Sequence, residues 1–440
     1  MQDSHRITAT QWRALTAAWL GWCFDGLDGY LYIMVAGRFV RQLLEREALA
    51  HLPAGAAAPI IPDGEVNARA ALIQGVFLVG WAVGGAVFGR VGDRLGRTRT
   101  LVLTVLTYAV FTGLSFFATT WWMLMAFRFV AALGIGGEWA AGSALVSETL
   151  HARHRAWASA TLQSGYMVGC ILASLTSGLL AGHDPKWVFV IGVAPALLTL
   201  WIRSAVPEPE EWAREARSRT APAVSALFAP RLFRTTVATS ALTSIALTTV
   251  WSFLYFAPQA VKSMADVAAW APADKQALAA RVAVFYFTVN IAANYAATYL
   301  AEKIGYRWSF GIFFAGATAA MLLGYRVPMT LGNVYVTTGA VAFFGLGLFG
   351  MFPLYIPPLF PTLVRTLGAG FTYNVGRVFS ALGAFAGGWI AGHAGGPVSA
   401  MWYTAFLYIP GLLLVPFIAV PARHQAAGRG GEGAGPNPVV

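Results

Sequence analysis

The chain has 440 residues, 57% of them hydrophobic, 14% aromatic and only 11% charged, with a mean hydropathy of +0.61. So little polar material cannot cover a soluble surface, and the chain is expected in a bilayer. The net charge of +11 would suit a nucleic-acid binder in a soluble protein. Here about 19 of the 30 Lys and Arg fall on one side of the predicted spans and about nine on the other, which marks the richer side as cytoplasmic and ties the basic tracts to orientation and anionic lipid, with no nucleic-acid partner.

Runs of about 18 to 25 mostly apolar residues predict twelve helical spans, near 14–40, 70–89, 100–117, 121–146, 156–182, 187–205, 234–262, 281–300, 308–327, 332–356, 368–392 and 399–420. Backbone groups find no water partner in lipid, and runs this continuous lack the alternation of barrel strands, so helices are the expected solution. The first span carries Asp25 and Asp28, which a cleavable signal core would not tolerate, and is expected to stay as a helix. The two acids are three residues apart, on one helix face that Tyr32 continues one turn further. Two carboxylates so close in a poorly hydrated cavity cannot both ionise cheaply, so one is expected to load and release a proton. The alternative is that one of them caps a kinked helix or holds an arginine permanently. Residues 41–69 are expected to form a long external loop.

A charged stretch follows the second span, Gly89-Arg90-Val91-Gly92-Asp93-Arg94-Leu95-Gly96-Arg97-Thr98-Arg99. It recurs in worn form at Ala301-Glu302-Lys303-Ile304-Gly305-Tyr306-Arg307, about 209 residues later. Glu148-Thr149-Leu150-His151 with Arg155 aligns with Pro358-Leu359-Phe360-Pro361 with Arg365 at an offset of about 210. Two matches at nearly one offset predict a chain of two similar halves, as alternating-access transporters have. The expected domains are a six-helix bundle over 1–205, a cytoplasmic linker over 206–233 containing a short amphipathic helix, a second bundle over 234–420 and a disordered tail over 421–440.

Every ionisable group deep in a span costs free energy to bury, so five residues stand out: Asp25, Asp28, Arg128, Glu138 and Arg377. No histidine lies well inside a span, so proton coupling must use carboxylates. Arg377, in the eleventh span beside Tyr373 and Asn374, offers a planar fork suited to a carboxylate. It is the expected substrate anchor, with a fixed ion pair to an acid as the alternative reading. Arg128 and Glu138 share the fourth span ten residues apart, about 80° off in direction, and are not expected to pair with each other. Glu138 is either a second proton carrier or an interhelical hydrogen-bond partner. Asp93, Arg94, Arg97, Glu148, Arg155, Glu302, Lys303 and Arg365 stand at the cytoplasmic membrane edge and are read as a gate of breakable ion pairs. Gln163, Tyr166, Asn290, Asn294 and Tyr255, with Trp251 and Tyr286, either line the cavity or pack helices. Gly345 to Gly350 and the Pro353 to Pro358 segment allow close helix approach and kinks. Cys23 and Cys170 lie in apolar runs without metal-ligand spacing, which argues against a disulfide or metal site; no cofactor is expected.

At these residues the chain resembles the major facilitator superfamily, with the GxxxDRxGRxR loop at Gly89–Arg99 as the most specific mark. Within it, Asp25-Gly26-Leu27-Asp28 resembles the first-span DGxD pattern of the sialate and aromatic-acid proton symporters. Gly134-Ile135-Gly136-Gly137-Glu138-Trp139 resembles the fourth span of the metabolite–proton symporters, and Phe360 through Arg377 their tenth-to-eleventh-span segment. The resemblance implies a twelve-helix, two-bundle fold in a bacterial-type inner membrane; the Lys and Arg distribution puts both termini on the cytoplasmic side, and a monomer is expected. The resemblance also implies proton-coupled symport of an organic acid anion, and a part for Arg128 in proton movement, with a structural pair to a first-span acid as the alternative. Efflux or facilitated diffusion of a neutral or aromatic compound is the second transporter reading; an enzyme is not expected, because no nucleophile or metal constellation is present. Glu302-Lys303 replaces Asp-Arg, Tyr306 replaces an arginine and Pro358 an acid, so the second-half gate is expected to be latched more weakly.

Overall fold

In this computed structural model the described residues are 7–50, 52–53, 60–180, 183–208, 212–213, 223–393 and 396–421, and all regular structure among them is helical. The first half runs α1 (Ala9–Ala50), α2 (Asp63–Leu95), α3 (Arg97–Ser115), α4 (Trp121–Thr149), α5 (Arg155–Leu179) and α6 (Pro195–Ala205, led in by a short turn at Val188–Ile191). The second runs α7 (Pro230–Lys262), α8 (Pro272–Ile304), α9 (Tyr306–Gly324), α10 (Val334–Tyr355, broken), α11 (Arg365–His393) and α12 (Gly396–Phe417, also broken). Seven of the twelve are long and apolar enough to cross a membrane on that ground alone. The twelve predicted spans all fall on helices. The expected external loop is shorter than read: α1 continues to Ala50 because residues 41–50 are strong helix formers that bury Leu43 and Leu44. The expected linker helix and the tail lie largely outside the described residues.

The internal repeat is visible in the backbone. Helices α2 and α8 each have 33 residues, and α3 and α9 each have 19. Between each pair sits one glycine at positive φ, Gly96 at 106° and Gly305 at 84°, in a left-handed turn that a side chain rarely adopts. A short turn precedes α5 and α11 alike, and in both the first arginine donates from Nε to a carbonyl five residues back. Arg155 reaches Leu150 O at 3.1 Å and Arg365 reaches Phe360 O at 3.4 Å.

Packing repeats as well. α1 lies on α5 and α2 on α4; in the second half α7 lies on α11 and α8 on α10. The halves meet along α2–α11 and α5–α8, two seams that the repeat interchanges. At the first seam Gly370 sits against the backbone carbonyl of Gly85, and a Cβ at Gly85 would collide with Asn374. Small residues let these backbones touch, as membrane helices need when lipid gives no hydrophobic drive to associate.

α10 is α-helical to Val341, π-helical over Ala342–Leu346, and tighter than α over Gly347–Met351. The break faces protein: Ser159 Oγ donates to Gly350 O at 2.7 Å, and Asn290 Nδ2 reaches Ala342 O at 3.5 Å. Irregular backbone at membrane depth survives where protein groups re-satisfy it, and it commonly marks a functional wall.

Candidate functional site

Where the two halves meet, a small cavity of about 30 Å³ is walled by Trp22 of α1, Trp81 of α2, Gln163 and Tyr166 of α5, Trp251 of α7, Phe349 of α10, and Tyr373 and Arg377 of α11. That volume holds about one or two waters, so the centre is nearly shut in this conformation. Among the described residues of the wall Arg377 is the single charged one. Its guanidinium lies 4.0 Å over the Trp81 ring and 5.0 Å from the Tyr373 ring, and it donates to Asn374 Oδ1. Asn374 is itself fixed by donating to Gly370 O at 2.8 Å and Gly136 O at 3.2 Å. Tyr373 stacks flat on Trp139 at 3.8 Å. Among the described residues Arg377 makes no ion pair, and its Nε has no acceptor although the side chain is almost fully buried. A cationic fork stacked between two rings and lacking an anion is pre-organised to receive one.

Asp25 and Asp28 do not act as one pair. Asp28 turns to Arg128, whose Nη1 sits 2.9 Å from both carboxylate oxygens, and Thr112 of α3 donates to Oδ1 at 2.7 Å. Phe77 and Tyr32 cover that guanidinium at 4.5 and 5.5 Å. The pair ties α1, α3 and α4 together inside the first half. Asp25, one turn earlier, instead meets Glu138 of α4, and both side chains are fully buried. Among the described residues none of their four oxygens receives a hydrogen bond from a donor. Ionised carboxylates only accept, so a proton held between these two is the arrangement that satisfies either. Gly21 leaves the space, since a Cβ there would strike the Glu138 carboxyl. The pair stands outside the cavity wall but within electrostatic reach of Arg377.

At the Asp93 end the halves are latched by charge. Arg97 makes a two-pronged contact to Glu148, 3.0 Å from Nε and 2.9 Å from Nη2, lies 3.2 Å from Asp93, and donates to Thr362 O of the other half at 2.9 Å. Arg365 reaches the same Glu148 at 3.1 Å. Asp93 accepts from the first backbone N–H groups of α11, Thr366 at 3.3 Å and Leu367 at 2.9 Å. That is the favourable end of the helix for a negative charge. Arg94 is exposed, as are Glu302 and Lys303, with the Lys303 ammonium 5.6 Å from the Tyr299 ring. Where the first half uses Arg97 the second has Tyr306, packed on Tyr355 at 5.2 Å, so aromatic contact replaces charge there.

At the opposite end a larger cavity of about 300 Å³ is lined by Tyr32, Gln74, Tyr255, Gln259 and Lys262 among others. Asn290 and Asn294 lie between α8 and α10 and not in either cavity wall, and Tyr286 shares a hydroxyl contact with Tyr30 at 3.3 Å. Sequence reasoning had not singled out Trp22, Trp81, Thr112, Gln74 or Lys262. A signal was available: tryptophans in spans favour the water interface, whereas Trp22 and Trp81 occupy the middle of theirs and are buried with unpartnered indole N–H groups.

Comparison with known proteins agrees with this architecture. The sequence profile of the Major Facilitator Superfamily matches residues 48–356. A probable 4-methylmuconolactone transporter of Cupriavidus pinatubonensis is 31% identical over 339 residues, covering 76% of this chain and 77% of the relative. The sialic acid transporter NanX of Escherichia coli is 26% identical over 431 residues, covering 94% and 95%. The solved structure of the proton:xylose symporter XylE superposes with a TM-score of 0.74 at 15% identity, over 95% of this chain and 99% of that one, a likeness of fold. With its profile match, helix order and repeat, the chain belongs to the major facilitator superfamily and is a multi-pass membrane transporter, not an enzyme.

Proposed function

We propose that the protein is a proton-coupled symporter that takes up a small organic acid anion by alternating access across a bacterial inner membrane. The observation that carries this reading is Arg377: a buried guanidinium in the wall of the central cavity, without an anion. A carboxylate arriving there completes the pair and removes the penalty of an uncompensated buried charge, about 3–5 kcal/mol in comparable sites. Relatives named for 4-methylmuconolactone and sialic acid transport support an organic-acid cargo. The wall favours a flat, unsaturated or aromatic acid over a polyhydroxylated one, because rings dominate it and Gln163 and Tyr166 supply few hydrogen bonds beside Arg377.

The proton rides on Asp25 and Glu138. Cargo charge and proton charge then enter one poorly hydrated region together, which avoids isolating either in lipid. Asp28 and Arg128 hold the first half in shape. The Asp93–Arg97–Glu148–Arg365 cluster is the cytoplasmic gate, shut in this conformation, as the distribution of Lys and Arg supports. An uncharged cargo would leave Arg377 unpaired throughout the cycle. The 1–205 and 234–420 units rock against each other about the α2–α11 and α5–α8 seams. In proteoliposomes with an alkaline interior, wild-type protein should accumulate a labelled aromatic acid and Arg377→Ala should not, while inserting normally. Full accumulation by the variant refutes the anchor.

A further inference from the structure

We propose that the 300 Å³ cavity at the end opposite Asp93 is a second, weaker carboxylate site, which receives the cargo before it passes to Arg377. The inference rests on the organic-acid reading above.

Two helices set the polar groups of the cavities apart. On α2 the wall residue moves from Trp81 to Gln74 and on α1 from Trp22 to Tyr32, while on α7 Leu254 lines the central cavity and Tyr255 the outer one, so the two cavities abut there. At 1.5 Å per residue the α2 and α1 steps of seven and ten residues amount to about 10–15 Å. A small acid in one cannot touch the polar groups of the other. Between them Trp81 meets Trp251 edge-on at 5.8 Å, and the Tyr30 and Tyr286 hydroxyls stand 3.3 Å apart, so aromatic side chains from both halves divide the path.

The outer cavity is equipped for an anion. Lys262, the last residue of α7, brings an ammonium to its wall. Gln74 presents an amide whose Nε2 and Oε1 are buried without a partner. A buried amide in that state costs about 1–3 kcal/mol unless a ligand or water satisfies it. The Gln259 side chain is pinned by donating from Nε2 to Tyr255 O at 3.0 Å. A volume of about 300 Å³ lies at the lower end of small-molecule sites, ten times that of the central cavity. In this conformation the outer site is therefore the one with room for cargo.

Equilibrium binding of tritiated benzoate to the purified full-length protein tests this. Wild type should bind two benzoates per chain. Arg377→Ala should lose one and retain the weaker one. Lys262→Met combined with Gln74→Leu should weaken that remaining site at least tenfold, and Lys262→Arg should keep it. Binding of one benzoate that Arg377→Ala abolishes and the Lys262 and Gln74 changes leave untouched overturns the outer site while the central reading stands. Binding that survives Arg377→Ala but falls with Lys262→Met supports the outer site, and if wild type then shows that site alone the central anchor is overturned. No benzoate bound by wild type overturns both for aromatic acids.

Discussion

Replacing Asp28 with asparagine removes one charge and almost no volume, so it isolates what the buried pair contributes. In the native protein Arg128 touches both Asp28 carboxylate oxygens at 2.9 Å, reaches Asp28 O at 3.4 Å and Thr112 Oγ1 at 3.5 Å, and lies among the rings of Phe77, Tyr32 and Phe189. Asparagine keeps an acceptor for one of those bonds but leaves the guanidinium without a counter-charge. Breaking a buried pair from one side costs about 3–5 kcal/mol. Arg128→Met should cost a similar amount, because Asp28 is then a buried carboxylate without a counter-charge and with Thr112 as its remaining side-chain donor. Removing both charges together spares either partner that penalty, and apolar replacement of a whole buried pair is near neutral. Thermal unfolding of the detergent-solubilised protein should therefore rank Asp28→Asn with Arg128→Met below wild type, and the double variant well above either single. Because the proton is assigned to Asp25 and Glu138, the double variant should also keep gradient-driven accumulation. A double variant destabilised by the sum of the two singles, or stable but uncoupled, would refute the assignment of this pair to structure.

Asp93→Asn weakens the latch between α2 and the start of α11, so the inward-open form should gain population; the expected result is a change in turnover of several-fold with an equilibrium affinity within about twofold of wild type, from parallel transport and binding assays. Gly85→Val should block assembly of the α2–α11 seam, seen as loss of the folded monodisperse peak, since its side chain would meet Asn374. Arg377→Lys keeps the charge but not the planar fork stacked on Trp81, and should weaken cargo binding by about tenfold or more in equilibrium binding.

Much of the fold was legible in the sequence because its signals are one-dimensional. Apolar run length located the spans, and the recurrence of the Gly96 and Gly305 loops and of Arg155 and Arg365 announced the repeat, which the shared turns and side-chain bonds reproduce. The intramembrane charges were also legible, since each is costly in lipid. Their pairing was not. Spacing put Asp25 and Asp28 on one helix face, yet a difference of three residues is a rotation of about 60°, and α4 presents Arg128 to one and Glu138 to the other. The break in α10 was foreshadowed by its glycines, but which carbonyls Ser159 and Asn290 would cover depends on the α5–α10 and α8–α10 contacts. Nothing in the sequence joins Lys262 to Gln74; they line one cavity because α2 and α7 of opposite halves both face it.

Whether a carboxylate cargo and its proton meet in the interior is tested directly by Glu138→Gln. The amide can donate to Asp25 but has no titratable proton, so the pair stays satisfied while its proton is lost to the cycle. In proteoliposomes with an interior two pH units more alkaline, one coupled proton supports about 100-fold accumulation, at 1.36 kcal/mol per unit. The variant should show no accumulation of a labelled aromatic acid above equilibrium, yet exchange external for internal acid at a rate comparable to wild type. Accumulation by Glu138→Gln equal to wild type would contradict a proton carried on Asp25 and Glu138.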